Sequence, residues 1–190
     1  MNLVDRVKNI LLNPKEEWPK IVVEPATTQS LYLGYIMILA AIGPIAILLR
    51  TFAFGFGIVP ALIGYLVSLA ISFLLALIVD ALAPTFGGEK NFIQSLKLVA
   101  YSYTAAWIAG IFQLLGFIGG IVGLLAAIYS FYTFYLGVPL MKKCPQEKAA
   151  GYTIVVVICG ILLGVVLAGV LMSVVFGGGM MGLGGSGMVR

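Results

Sequence analysis

Histidine is absent from this chain of 190 residues, and only 9% of its residues are charged. The side chain that most often shuttles protons or binds metal near neutral pH is therefore missing. Acid–base chemistry would have to rest on just seven Asp and Glu residues. None of these falls in the middle of an apolar run, where coupled transporters and pumps commonly carry one. No glycine-rich phosphate loop or paired acidic motif occurs. These absences point away from an enzyme, and no catalytic, cofactor-binding or metal site is expected. The two cysteines, Cys144 and Cys159, share no metal or redox spacing and read as free thiols. Met172, Met180, Met181 and Met188 lack the regular spacing of a soft-metal site. The 11 Lys and Arg residues form no basic tract with interleaved aromatics, so nucleic acid is not an expected partner.

What the chain has in excess is apolar surface, at 62% hydrophobic residues and a mean hydropathy of +1.13. A soluble domain is roughly 45–50% apolar and about 25% charged, and this chain has too few charges to cover its outside. The composition predicts an all-α polytopic membrane protein: a five-helix transmembrane bundle with a short N-terminal amphipathic helix. Five apolar runs cover about 31–49, 58–83, 92–115, 117–141 and 150–176. Each approaches or exceeds the roughly 20 residues that cross about 30 Å of hydrocarbon. Gly43-Pro44 predicts a kink in the first, Pro84 closes the second, and Gly116 alone joins the third and fourth into an antiparallel hairpin. Residues 177–190, rich in Gly and Met, predict a flexible tail.

Five crossings sort the basic residues unevenly. Arg6, Lys8, Lys15, Lys20, Lys90, Lys97, Lys142, Lys143 and Lys148 fall on one side, while Arg50 and Arg190 fall on the other. The positive-inside rule then places the N-terminus in the cytoplasm and the C-terminus outside. Residues 1–30 form a cytoplasmic arm. Leu3, Val4, Val7, Ile10 and Leu11 share one helical face, which predicts a helix lying on the membrane with that face toward lipid. Asn13-Pro14 starts a second helix with Glu16 and Glu17 in its first turn, and Trp18 suits the lipid–water boundary.

The stretch FGGEKNFIQSLKLVAYSY, residues 86–103, gathers much of the remaining polarity. Gly87-Gly88 make a loop, and Asn91 caps a helix with Gln94 reaching back. Asp80 and Lys97 lie a few residues inside the second and third runs. They either meet as an interhelical ion pair or snorkel separately to water. Tyr129, Tyr132 and Tyr135 have Phe131 and Phe134 nearby, with Tyr101 and Tyr103 at similar depth. They either frame a pocket for a lipid or amphiphile opening to the cytoplasmic leaflet or form an interfacial aromatic belt with ordinary packing. Lys142, Lys143 and Lys148 are candidates for headgroup contact as well as topology setters. Gly116, Gly119, Gly120, Gly123, Gly160 and Gly164 have the small-residue spacing of close helix packing, with a dimer surface as a further possibility.

The chain resembles the Yip family of five-span, Ypt/Rab-interacting membrane proteins, in particular its compact prokaryotic branch. The features that carry the resemblance are VKNILLNPKEEWPKI, FGGEKNFIQSLKLVAYSYTAAWI and YSFYTFYLGVPLMKKCPQEKAAGYTIVVVI, in this order and at these loop positions. The resemblance implies an integral membrane protein without known catalytic residues, whose eukaryotic relatives serve vesicle trafficking, Rab GTPase binding and membrane shaping. About thirty residues stand here in place of a long cytosolic domain, so binding of a Rab-type GTPase is not carried over, and a prokaryotic cell membrane is the implied location.

Two readings of function follow. The first is a non-enzymatic membrane organiser or scaffold acting through membrane lipids, other membrane proteins or further copies of itself. The second is a small transporter, channel or lipid-handling protein, with Gly43-Pro44, Ser68 and Ser72 along its path.

Overall fold

The computed structural model describes the backbone of residues 2–53 and 58–183, and within these the side chains of all but 51–53, 60, 168 and 171–183. Among the described residues the fold is all-α, with five helical segments long and apolar enough to cross a membrane: Thr28–Arg50, Ala61–Phe86, Phe92–Leu115, Phe117–Lys142 and Gln146–Leu167. Two short helices precede them, α1 (Leu3–Leu12) and α2 (Pro14–Val23).

The third span is the hub. Half of its membrane window is buried inside the protein, against 22%, 22% and 17% for the second, fourth and fifth. It packs against the second and fourth spans, meets the first along its length and also meets the arm. The fifth span closes the far side against the second and fourth. Outward-facing Leu62, Leu66, Leu124, Ile128, Ile154 and Leu162 are exposed, as expected of a surface meant for acyl chains rather than water.

Local irregularities follow from the sequence. The first span opens with a capping box at Thr27 and Ser30 and includes a π-helical turn at Tyr32–Ile36. It is interrupted at Ala41, because Pro44 has no N–H for the carbonyl of Ala40. Gly116 (φ +59°) reverses the chain between the third and fourth spans. A Cβ on Gly119 would stand 2.0 Å from the Phe112 carbonyl oxygen, so this turn tolerates no side chain there.

Two sequence expectations change. The glycine stripe is only in part a seam between helices of this chain. Gly119 packs on the Phe112 backbone and Gly160 faces Leu75, but a Cβ on Gly116, Gly120, Gly123 or Gly164 would meet nothing within 4 Å. A further close backbone approach lies outside the stripe, where a Cβ on Gly110 of the third span would lie 2.8 Å from Gly43 Cα of the first. The last helix also runs from Gln146 through Leu183, past the expected start of the tail at 177. Backbone i→i−4 bonds need no side chain, and glycine weakens a helix by only about 1 kcal/mol per residue. The end of the tail, 184–190 with Arg190, lies outside the described residues.

Candidate polar rim at one end of the bundle

Among the described residues most of the charge lies at one end of the bundle, where the arm, the start of the third span and the ends of the second and fourth meet. Two networks are built there.

The first holds the arm. Asn2 caps α1, accepting from the Asp5 N–H at 2.8 Å. Helix α1 then turns Leu3, Val7, Ile10 and Leu11 toward the bundle rather than toward lipid, leaving Val4 and Leu12 exposed. Arg6, one turn from Leu3 and Ile10, is carried inside with them and is 5% exposed. Its guanidinium donates to Glu17 at 2.7 Å and to both carboxylate oxygens of Glu24, and it lies 5.6 Å from the centre of the Tyr101 ring. A buried guanidinium is tolerable only with this degree of pairing. Lys20 adds a half-exposed contact to Glu17.

Helix α2 ends with carbonyls that have no partner in their own helix. The third span supplies them. Lys97 Nζ donates to the Ile21 carbonyl at 2.9 Å and to that of Glu24, and Gln94 Nε2 donates to Val22 at 3.0 Å. A cation at a helix C-terminus is favoured by the macrodipole as well. Tyr129 of the fourth span does the same for α1, donating to Leu11 at 2.7 Å.

Trp18 lies at the centre of this docking and is wholly buried. It donates to the Thr133 carbonyl at 3.1 Å. A Cβ on Gly137 would be 2.7 Å from its ring, so the indole fits because the fourth span has a glycine at that point. Tyr101 meets Trp18 and Tyr35 edge-on, at 6.5 and 4.6 Å between ring centres. Thr104 uses its hydroxyl hydrogen on the Tyr101 carbonyl, so Tyr35 is the donor in the 2.6 Å contact between their hydroxyls.

The second network ties three spans. Asp80 Oδ1 accepts from Lys142 Nζ at 2.8 Å, from the Asn91 N–H at 2.7 Å and from Ser95 Oγ at 3.0 Å. The remaining hydrogens of Lys142 go to the Asn91 carbonyl at 3.2 Å and to Ser95 Oγ at 2.8 Å. All three donors of a side chain with no solvent exposure are thus used. Around it, Gly87 takes φ +76° and the Glu89 N–H donates to the Lys142 carbonyl at 2.8 Å. Tyr152 of the fifth span stacks on Phe86 at 4.9 Å and donates to the Val79 carbonyl. Cys144 Sγ contacts the Phe86 carbonyl at 3.2 Å. Burial pushes this thiol's pKa up, with Lys148 opposing.

These contacts correct several expectations. Asp80 and Lys97 are not partners: Asp80 takes Lys142, and Lys97 goes to the end of α2. The arm, which no spacing argument can place, puts three carbonyls within reach of Lys97 and Gln94. Gln94 consequently does not reach back to Asn91, though Asn91 Oδ1 does accept the Gln94 N–H at 3.1 Å. Trp18 and Tyr101 are inside the protein and do not contact lipid. Tyr101, Tyr129, Tyr132 and Tyr135 frame no common pocket, because an i, i+3, i+6 series turns by about 60° per step around a helix. Of the aromatic cluster, Tyr103, Phe131 and Phe134 do line one cavity. Tyr129 is half-buried against the arm, Tyr132 is exposed, and Tyr135 accepts from Gln146 at 3.1 Å. Lys142 is a buried structural cation rather than a headgroup contact. Lys143 is exposed and pairs with Glu89 at 2.7 Å, and Lys148 is exposed.

The basic residues of this end therefore divide by role. Arg6, Lys97 and Lys142 are buried in the two networks, while Lys8, Lys15, Lys20, Lys90, Lys143 and Lys148 stay exposed around them. A cavity of about 180 Å³ opens between the arm and the first and third spans, beside Arg6, Glu24, Lys97 and Tyr101. Among the described residues no group of His, Cys, Asp and Glu is placed to hold a metal.

No curated protein and no solved structure matches this chain. The Yip1 domain, however, matches residues 8–185, from the arm that docks through Trp18 to the last helix. The chain is a multi-pass membrane protein and belongs to the Yip1 domain family.

Proposed function

We propose that this protein is a non-enzymatic membrane organiser that presents a rigid cationic rim to the inner leaflet of a prokaryotic cell membrane. The observation that carries this reading is the division of basic residues. Three are consumed in locking the arm and spans together, and six lysines are left outward on the frame so made. A lysine near an anionic surface gains about 1 kcal/mol. Even with Lys20 and Lys143 paired to Glu17 and Glu89, the other four on this rim outweigh the thermal energy of lipid mixing by several fold. In this reading the N-terminus is cytoplasmic, the lipid partners are acidic, and protein partners dock on the exposed apolar faces. A Rab-type GTPase is not required, since the arm is occupied with its own bundle.

The test is reconstitution of the full chain into liposomes with and without phosphatidylglycerol. Enrichment of the acidic lipid around the protein, read by quenching of a headgroup label, should fall severalfold when Lys15, Lys90 and Lys148 become Gln. Equal enrichment in both proteins would sink the reading.

A second reading, a small transporter or channel, is favoured by one feature. Gly43, Pro44 and Ser68 line a cavity of about 210 Å³ among the first three spans. Ser72 does not line this cavity and donates to the Ser68 carbonyl at 2.8 Å. Solute flux through the same liposomes, abolished by Ser68→Leu, would favour this reading over the organiser.

A further inference from the structure

Serine and threonine inside an apolar helix normally satisfy their hydroxyls on the carbonyl four residues back. Ser72, Thr133 and Thr153 do so here, at 2.8, 3.0 and 2.8 Å, while Ser95 donates to Asp80. Ser102 of the third span and Ser130 of the fourth do not. They are 1% and 3% exposed, and neither hydroxyl has a hydrogen-bond partner. A buried hydroxyl left unpaired costs about 1–3 kcal/mol. Both of these line one cavity of about 140 Å³ between the second, third, fourth and fifth spans.

The rest of the wall is apolar, including Leu75, Phe134 and Val156, with Tyr103 on one side. The Tyr103 hydroxyl would stand 3.8 Å from a Cβ on Gly160, which lines the same cavity. Ile161 at the rim is exposed on the outer face of the bundle, so the cavity opens toward lipid. Its depth follows from the helices. At about 1.5 Å per residue, Ser102 is roughly 15 Å from the start of its span and Ser130 roughly 18 Å from the end of its own. That is the middle of a hydrocarbon core about 30 Å thick.

We propose that this cavity is an intramembrane binding site for a ring-sized, bilayer-dissolved carbonyl compound, such as a cyclic ketone or quinone ring. Two hydroxyl donors without an acceptor call for an oxygen with two lone pairs and no hydrogen, and the apolar wall calls for a hydrocarbon frame. The size agrees, since an engineered cavity of about 150 Å³ takes a benzene ring. Water fits less well. At roughly 30 Å³ each, four or five molecules would fill the space, and each needs two to four polar partners. The wall offers three hydroxyls in all. The ester carbonyls of ordinary membrane lipids lie at the interface, too shallow to reach Ser102 and Ser130.

The probe is 4-fluoroacetophenone, with 1-ethyl-4-fluorobenzene as the matched hydrocarbon, titrated into the detergent-solubilised full chain and followed by ¹⁹F NMR. The ketone should give a saturable bound signal and bind about tenfold tighter than the hydrocarbon, as expected for one or two hydrogen bonds made in an apolar site. Combining Ser102→Ala with Ser130→Ala should abolish that preference. Gly160→Val should abolish binding of both probes without touching either hydroxyl, and circular dichroism would establish that each variant is folded. Equal binding of the two probes would make the site a plain apolar void. No saturable binding of either, with all variants folded, would leave it to water or vacancy. Either result overturns the proposal.

Discussion

Lys142 Nζ lies 2.8 Å from Asp80 Oδ1, and the lysine has no solvent exposure while the aspartate keeps 19% of its side chain open. The second and fourth spans are joined through a cation that cannot reach water if its partner is removed. Asp80→Ala should therefore destabilise the protein by about 3 kcal/mol, the order found when one partner of a buried pair is deleted. Asp80→Ala combined with Lys142→Met should recover much of that loss, and thermal unfolding in detergent reads both. Lys97→Met should show no coupling to Asp80 in the same cycle.

The exposed pair of Lys143 and Glu89 makes a contrast at a similar distance, 2.7 Å. Surface pairs are worth about 0–1 kcal/mol and are screened by salt. Glu89→Gln should leave the unfolding temperature within a degree or two of the parent, whereas Asp80→Ala shifts it strongly.

Gly137 sets the seat of the arm. A methyl there would sit 2.7 Å from the Trp18 ring and 2.6 Å from Leu98 Cδ1. Gly137→Val should expel the indole and free the arm for cleavage by trypsin at Lys15 and Lys20, with the spans still inserted. Trp18→Ala should have the same signature and cost about 3–5 kcal/mol. Resistance to trypsin in both variants would mean that the charged contacts of Arg6 hold the arm alone.

Cys144 supplies a pH test. Its thiol is buried and its pKa is pushed up, so folding favours the protonated form. The associated stability is complete below the pKa of the unfolded thiol and is lost as pH rises through the folded value. Labelling by a maleimide should accordingly keep rising with pH beyond the midpoint of an ordinary thiol, about 8.5. Cys144→Ser should remove that slow, alkaline-activated fraction and leave the labelling of Cys159 unchanged.

The helical architecture was legible because lipid imposes a strict rule on sequence. Backbone polar groups in hydrocarbon must bond within their own segment, so apolar length alone announces a helix. The skew of Lys and Arg was legible for the same reason, since each charge must remain near a helix end. Asn91 as a cap and Gly116 as a reversal were also readable, because both act within a few residues of themselves.

Pairing was not readable. Asp80 had two lysines within reach of its depth, and only the docked arm, by drawing Lys97 to the carbonyls of Ile21 and Glu24, left Lys142 for it. The amphipathic pattern of α1 was plain in the sequence, yet a helix with one apolar face suits a lipid surface and a protein groove equally. The groove prevails here because Gly137 admits Trp18 and because Arg6 finds two carboxylates inside it. Likewise, nothing in the neighbours of Ser102 and Ser130 distinguishes them from Ser72, and only the packing of four spans leaves their hydroxyls facing a shared space. Sequence determined which segments enter the bilayer, a matter of each residue's own transfer energy; tertiary structure decided which side chains meet, a matter of helix rotation and depth that no single segment contains.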